Sequence, residues 1–249
     1  MAEENKFPSE LIYLPSEGKL YPKEHPCSNG KIENKYITAK EEDILTSQTL
    51  IKKGIAIDRL LDSLIMTEGV KCNDLFVGDK NAIMVAARVL AYGPEYTCQI
   101  VNPNGDNDTF EHTFNLADCP FKKLPNNITE NKFEVDLPIS KKKVTFKLLT
   151  GLEEEQIQND IKATKKIGSP VLPELTTRLR HMITSVDGDE TPSAINDIAQ
   201  NMLARDSMHL RKEISNITPD IEMTQEVEIG GESVKVAIPM TVNFFWPNA

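Results

Sequence analysis

The sequence of 249 residues lacks an excess of basic residues, a long apolar run and closely spaced cysteines. Its 28 Lys and Arg are outnumbered by 38 Asp and Glu, which gives a net charge of −10. An acidic chain repels phosphate groups, which argues against binding to nucleic acid or to anionic membranes. No run of about 18 apolar residues occurs, and the polar first residues carry no secretion signal. We therefore expect neither a membrane-spanning helix nor export.

The four cysteines, Cys27, Cys72, Cys98 and Cys119, are scattered, and none lies within two residues of another. In a chain without a secretion signal, this distribution predicts reduced thiols in a cytosolic protein. The alternative is a single disulfide between Cys98 and Cys119, formed across a hairpin.

Hydrophobic residues make up 39% of the chain and charged residues 27%, which is typical of a globular protein. Apolar residues at helical spacing predict helices, and alternating ones predict strands of hairpins. The predicted helices cover residues 41–50, 57–65, 79–91, 153–166, 173–185 and 192–217. The predicted strands lie near residues 31–38, 96–100, 110–116, 133–137, 144–148, 227–229 and 234–238. This order predicts an α+β fold in which helices pack with antiparallel hairpins.

Local signals refine three of the helices. The segment from Asp79 to Ala91 is apolar almost all round, which predicts a helix in the middle of the fold with Asp79 as its N-cap. Thr150 and Glu153 have capping-box spacing, which predicts the start of the following helix. The basic run from Arg178 to His181 lies within helical apolar spacing and predicts a solvated helix face.

Catalytic and metal-binding patterns are weak. His25, His112, His181 and His209 are isolated in the sequence. Three successive acids at 153–155 point about 100° apart on a helix and cannot converge on one cation. We therefore predict no catalytic residues, no metal ligands and no cofactor. An enzyme that uses a Cys–His pair, with Cys98 or Cys119 as the nucleophile, stays open as an alternative.

Large apolar side chains gather near both ends of the sequence. Exposed, they would form patches that invite aggregation, so they either pack on the domain or anchor in a partner. The strand before the C-terminal aromatic residues favours packing on the domain. The candidate interaction residues are Tyr13, Leu14, Leu20, Tyr21, Phe244, Phe245 and Trp246.

Four stretches, taken in order, carry a resemblance to a known family. They are Leu14-Pro15-Ser16-Glu17-Gly18-Lys19-Leu20-Tyr21-Pro22, residues 42–65, Leu75-Phe76-Val77-Gly78-Asp79-Lys80-Asn81-Ala82-Ile83, and residues 206–221 with the ending Phe244-Phe245-Trp246-Pro247. Together they resemble the baseplate hub subunit family of T-even-type contractile-tailed bacteriophages.

This resemblance implies a structural or assembly protein of the tail baseplate hub that acts through protein–protein interaction. Its implied partners are other baseplate hub or tail proteins, with no nucleic acid, membrane or small-molecule substrate. Its implied location is the virion tail baseplate, after assembly in the host cytoplasm. Some family members are assembly factors, so a transient assembly chaperone absent from the mature virion is the alternative. The acidic balance and the helices of 152–217 favour that alternative.

The chain departs from the family at two points where related chains carry Cys-x-x-Cys pairs. Here the corresponding residues are Asn102-Pro103-Asn104-Gly105 and Met223-Thr224-Gln225-Glu226, without thiolates. We therefore expect a metal-free, zinc-ribbon-like β subdomain whose two tips are neighbours. The expected organisation is an N-terminal arm at 1–30, a mixed body at 31–95 and 130–218, and a hairpin subdomain with an aromatic C-terminus at 96–129 and 219–249.

Overall fold

The computed structural model describes residues 8–101, 109–166, 171–229, 231–240 and 244–245. Helices and small antiparallel sheets make up these residues, which confirms the predicted α+β class. The helices are α1 (Ala39–Thr46), α2 (Gln48–Lys53), α3 (Ala56–Leu64), α4 (Val77–Tyr92), α5 (Gly151–Lys166), α6 (Glu174–Met182), α7 (Pro192–Asn201) and α8 (Ala204–Ile217).

The strands form small sheets, not one continuous sheet. They are β1 (Ser9–Tyr13), β2 (Lys31–Lys35), β3 (Glu95–Val101), β4 (Thr109–Asn115), β5 (Phe121–Lys122), β6 (Phe133–Asp136), β7 (Lys143–Phe146), β8 (Ile183–Val186), β9 (Asp220–Ile221), β10 (Thr224–Ile229) and β11 (Glu232–Ala237). The paired sets are β1–β2, β3–β4, β5–β9, β6–β7–β8 and β10–β11, all antiparallel.

The helix boundaries correct the sequence prediction in two places. The helix expected at 41–50 breaks at Ser47, whose extended backbone separates α1 from α2. The helix expected at 173–185 ends at Met182, because the residues from Ile183 onward pair with β7 as a third strand. The predicted capping box is confirmed at the start of α5, where the Thr150 backbone N–H donates to Glu153 Oε2 at 2.9 Å.

Two hydrophobic cores meet at α3 and α4. In the first core, Leu61 and Ile83 pack with the β6–β7–β8 sheet, with α6 and α7, and with apolar residues of the first 30 positions. In the second core, Leu60, Leu64 and Val85 pack with both the β3–β4 and the β10–β11 hairpins. Because α4 contributes to both cores, it occupies the central position that its apolar sequence predicted. The finer division into arm, body and hairpin subdomain stays a prediction.

The two hairpins are in direct contact. The Tyr96 hydroxyl of β3 donates to the Pro239 carbonyl at 2.9 Å, and the Gln225 side chain of β10 donates to the Asn115 carbonyl at 2.6 Å. The two hairpins remain separate two-stranded sheets. The first tip, at 102–108, lies outside the described residues, whereas the second point, Met223-Thr224-Gln225-Glu226, lies at the start of β10. The proximity of the tips and the zinc-ribbon likeness therefore stay predictions.

Candidate interaction surface

A buried carboxylate fixes the N-terminal segment against α4. Asp79 lies in the first turn of α4, whose N-cap is Phe76, so the predicted N-cap role of Asp79 is wrong. Its carboxylate accepts from the Ser16 backbone N–H at 2.9 Å, the Ser16 hydroxyl at 2.6 Å and the Tyr21 hydroxyl at 2.7 Å. The Tyr21 hydroxyl in turn accepts from the Phe76 N–H at 3.1 Å. We call Ser16, Tyr21, Phe76 and Asp79 the Asp79 cluster.

Burial dominates the electrostatics of this cluster. It raises the pKa of the Asp79 carboxyl above its ordinary value of 3.8, because the hydrogen bonds from Ser16 and Tyr21 offset only part of the desolvation. A carboxylate has enough acceptor sites for all three donors. Through them, Asp79 holds both Ser16 and Tyr21 of the N-terminal segment against α4.

A tight turn carries the chain from β1 into the Asp79 cluster. Gly18 has a φ of 78°, and a Cβ built on it would lie 2.6 Å from the backbone nitrogen of Gly30. Only glycine fits this close approach of two backbone segments. The turn and the Asp79 cluster together set the position of β1.

One edge of β1 has no strand partner among the described residues. The Leu14 N–H donates to the Gly30 carbonyl and the Tyr36 N–H to the Pro8 carbonyl, at the two ends of the β1–β2 ladder. Antiparallel pairing alternates, so the even-numbered residues of β1 bond to β2. The backbone groups of Ser9, Leu11 and Tyr13 therefore point to the other edge.

An apolar groove of about 360 Å³ runs between β1 and α4. Its floor is a stripe of α4 at helical spacing, and its far wall is the segment after β4 together with β9. Glu10 is the one charged side chain among the described residues that line it. We call this cavity the β1 groove, and its lining residues are Glu10, Leu11, Ile12, Ala82, Val85, Ala86, Val89, Leu90, Leu116, Ala117, Cys119, Phe121 and Ile221.

The predicted interaction residues of the N-terminal segment divide between surface and core. Tyr13 is 61% exposed, and its neighbour Leu11, which the sequence analysis did not single out, is 60% exposed. Leu14, Leu20 and Tyr21 are buried in the first core, so their assignment to an interaction surface is corrected. Alternation along the strand explains why Leu11 and Tyr13 are exposed, because successive side chains point to opposite faces, whereas Leu20 and Tyr21 lie beyond the turn.

The C-terminal aromatic residues also belong to the core where they are described. Phe244 packs edge-on against Tyr96 at a centroid distance of 5.2 Å and against Phe245 at the same distance. Both Phe244 and Phe245 are buried, which agrees with the expected packing on the domain and removes them from the candidate surface. Trp246 lies outside the described residues.

A second, polar cleft of about 620 Å³ lies between α3, α4 and α5. Arg178 lines it and forms a bidentate ion pair with Glu154, while Lys80 donates to Asp58 at 2.5 Å. The basic run of α6 is therefore not simply solvated, because it docks α6 on α5 through ion pairs. Arg178 and Lys80 are thus each paired with a carboxylate that also lines the cleft.

The structure brings one cysteine next to a histidine. Cys98 lies directly opposite His112 in the β3–β4 pair. Within the described part of the chain no hydrogen bond joins the two side chains, and burial raises the pKa of the Cys98 thiol. A thiol nucleophile reacts as the thiolate, which these surroundings disfavour. The pair therefore gives little support to the Cys–His enzyme.

All four cysteines are free, which confirms the predicted thiols and shows the alternative disulfide between Cys98 and Cys119 to be wrong.

Burial raises the pKa of the Cys27 and Cys72 thiols to about 12 in both cases. At neutral pH we expect iodoacetamide to modify partly exposed Cys98 first and Cys27 and Cys72 at least about 100-fold more slowly. Mass spectrometry over a time course measures the rates, and denaturation in urea should equalise them. Rapid labelling of Cys27 in the folded protein would contradict this burial.

Across the described residues, no three His, Cys, Asp or Glu side chains gather as metal ligands would. None of the helices described there has the length and apolar character needed to cross a bilayer. Comparison of the chain with protein-family models, curated proteins and solved structures gave no significant match.

Proposed function

We propose that the chain is a structural or assembly component of the baseplate hub of a contractile phage tail and acts by binding other hub or tail proteins. The sequence resemblance supports the hub assignment. The observation that carries the binding role is the β1 groove, which has exposed Leu11 in its lining and lies beside a strand edge that is unpaired among the described residues, with exposed Tyr13 further along the same strand. Apolar side chains that gather beside such an edge are typical of protein interfaces.

The energetic contribution of this surface follows from its two large side chains. Full burial of a leucine-sized side chain contributes about 2 kcal/mol, which corresponds to roughly thirtyfold in a dissociation constant. Two such residues beside an apolar groove would supply a substantial share of a specific contact. No group needs to react, so the proposed mechanism is recognition by shape and apolar burial.

Affinity capture from infected cells tests this function. With a tagged chain, we expect hub or tail proteins to be recovered, and Leu11→Lys to reduce their recovery roughly thirtyfold. Met208→Lys is the matched control, because Met208 is 61% exposed but lies on α8 outside the β1 groove. Quantitative mass spectrometry of the captured proteins gives the readout. Recovery of no tail protein, or equal losses in both variants, would count against the proposal.

The transient chaperone is the second candidate. Its support is the acidic balance of the chain, since a net charge of −10 suits a factor that keeps a partner soluble. Purified mature tails separate the two roles. A structural subunit is recovered in fixed stoichiometry with other hub proteins, whereas a chaperone is bound in infected cells and missing from the tails.

A further inference from the structure

We infer that the β1 groove takes an extended segment of a partner protein, which pairs with β1 as an additional strand and places a basic residue opposite Glu10. This inference rests on the proposed function and names the chemistry of the partner that the same surface recognises. Its support comes from the strand edge, the shape of the groove and its single charge.

The strand edge requires an extended occupant. The outward backbone groups of Ser9, Leu11 and Tyr13 repeat every second residue, and only a chain in β conformation can bond to such a row. Addition of a strand to an exposed sheet edge is a common mode of peptide recognition, in which the main-chain hydrogen bonds supply affinity. β1 and β2 form a two-stranded sheet, which a third strand would strengthen.

The walls of the groove favour a single segment over a whole folded surface. The groove is bounded on one side by β1 and on the other by Leu116, Cys119, Phe121 and Ile221. A strand lies about 4.8 Å from its neighbour, so one added strand can occupy the space beside β1 and pack its inward side chains on α4. A second folded copy of this chain would instead press the rest of its domain against the far wall of the groove, which disfavours such an occupant.

The single charge of the groove, on Glu10, favours an occupant of positive charge. Glu10 is exposed, and its carboxylate accepts one hydrogen bond, from the Tyr36 hydroxyl at 3.2 Å. Its remaining acceptor capacity is available to a lysine or arginine of a partner, while an acidic partner would be repelled. The net charge of −10 acts in the same direction at longer range.

The register of β1 then predicts a sequence pattern in the partner. Glu10 and Ile12 share one face of β1, on which Ile12 is buried, and Leu11 and Tyr13 share the other, exposed face, although Leu11 also contributes to the lining of the groove. A paired strand would place its basic residue opposite Glu10 and an apolar residue opposite Ile12, two positions away. The residue between them would lie beside Leu11 on the other face of the strand.

Synthetic peptides provide the test. The first probe is a nine-residue peptide that alternates valine and threonine around a central lysine, with valine two positions from the lysine on each side. The second probe is the same peptide with a central glutamate. The third is the lysine peptide with proline at alternate positions. By fluorescence anisotropy with the full chain, we expect the lysine peptide to bind at least about tenfold more tightly than the glutamate peptide. Glu10→Lys should reverse this order, and the proline peptide should not bind, because proline cannot donate to a strand ladder.

Hydrogen exchange gives an independent readout of strand pairing. The amides of Leu11 and Tyr13 should exchange more slowly when the lysine peptide is bound, and Leu11→Lys should abolish the binding. Failure of every peptide to bind, or a charge preference that ignores residue 10, would overturn the inference. So would a dimer in sedimentation equilibrium that Leu11→Lys dissociates, because a second copy would then occupy the groove.

The two proposals can fail separately. If hub proteins are captured in a Leu11-dependent way but no peptide binds, the proposed function stands and the added strand is wrong. If the lysine peptide binds as described but no tail protein is captured, the recognition mode stands and the hub assignment is wrong.

Discussion

Gly78→Ala is expected to lower the free energy of unfolding by about 3 kcal/mol or more, among the larger costs of overpacking. A Cβ built on Gly78 would lie 2.8 Å from the carbonyl carbon of Pro219 and closer still to its oxygen. Neither group is a flexible side chain, so α4 must move away from the backbone at 219–220. Such a movement would also break the bond from the Asn81 side chain to Asp220 at 3.1 Å.

Urea unfolding monitored by circular dichroism measures this loss, and Gly151→Ala provides the control. Gly151 also lies in the first turn of a helix, but its added Cβ would be 3.0 Å from the nearest atom of Asn73. Both substitutions raise helix propensity by a similar amount of about 1 kcal/mol, so the difference between them isolates the steric effect. A loss for Gly78→Ala no greater than that for Gly151→Ala would show that α4 and β9 are not so closely packed.

Asp79→Ala is expected to lower the free energy of unfolding by about 3 kcal/mol or more. The substitution leaves three buried donors, two on Ser16 and one on Tyr21, without their acceptor, and each orphaned group costs about 1 kcal/mol or more. The relief of burying a carboxylate offsets part of this loss. Tyr21→Phe removes one donor to Asp79 and the acceptor of the Phe76 N–H, and it should lower the stability by about 1 to 2 kcal/mol. An equal loss in the two variants would contradict the assignment of Asp79 as the shared acceptor.

The pH dependence of stability gives a second measure of the same carboxylate. Because the pKa of folded Asp79 is raised above 3.8, the folded chain binds this proton more tightly than the unfolded chain does. The contribution of Asp79 is therefore most favourable in acid and declines as the pH rises from about 3.8 through the raised pKa. The stability of the wild type minus that of Asp79→Asn should fall across this window, and a rise with pH would contradict it.

Local patterns in the sequence predicted much of the fold. The apolar segment at 79–91 became the central helix α4, and the alternating segments became the hairpins β3–β4, β6–β7 and β10–β11. These elements were predictable because their periodicity is contained in neighbouring residues. The strand β8 was missed because Ile183 continues the apolar spacing of α6, and only its partner β7, far away in the sequence, makes it a strand.

The role of Asp79 shows the limit of local reasoning. An aspartate before an apolar run is a good N-cap, and nothing nearby excludes that role. Its actual donors, Ser16 and Tyr21, lie 63 and 58 residues away. A side chain at Gly78 would likewise clash with Pro219, which is too far away in the sequence for a local pattern to indicate.

The candidate surface was predicted only in part. The sequence indicated apolar side chains near the N-terminus and identified Tyr13, but it could not decide which face of the strand would be buried. That decision depends on the Asp79 cluster, which turns Ile12 towards α4 and leaves Leu11 outside. The β1 groove could not be predicted, because its lining combines β1, α4, the segment after β4 and β9.

The close approach of Gly78 to Pro219 also bears on the order of events during synthesis. A ribosome releases residues 77–92 long before it releases Pro219, and until then one side of that helix has nothing to pack against. Closing so large a loop is slow compared with forming a helix. The nascent chain therefore exposes the apolar surface of this helix to water while the residues between 92 and 219 are made, and chaperone protection would matter most during that interval.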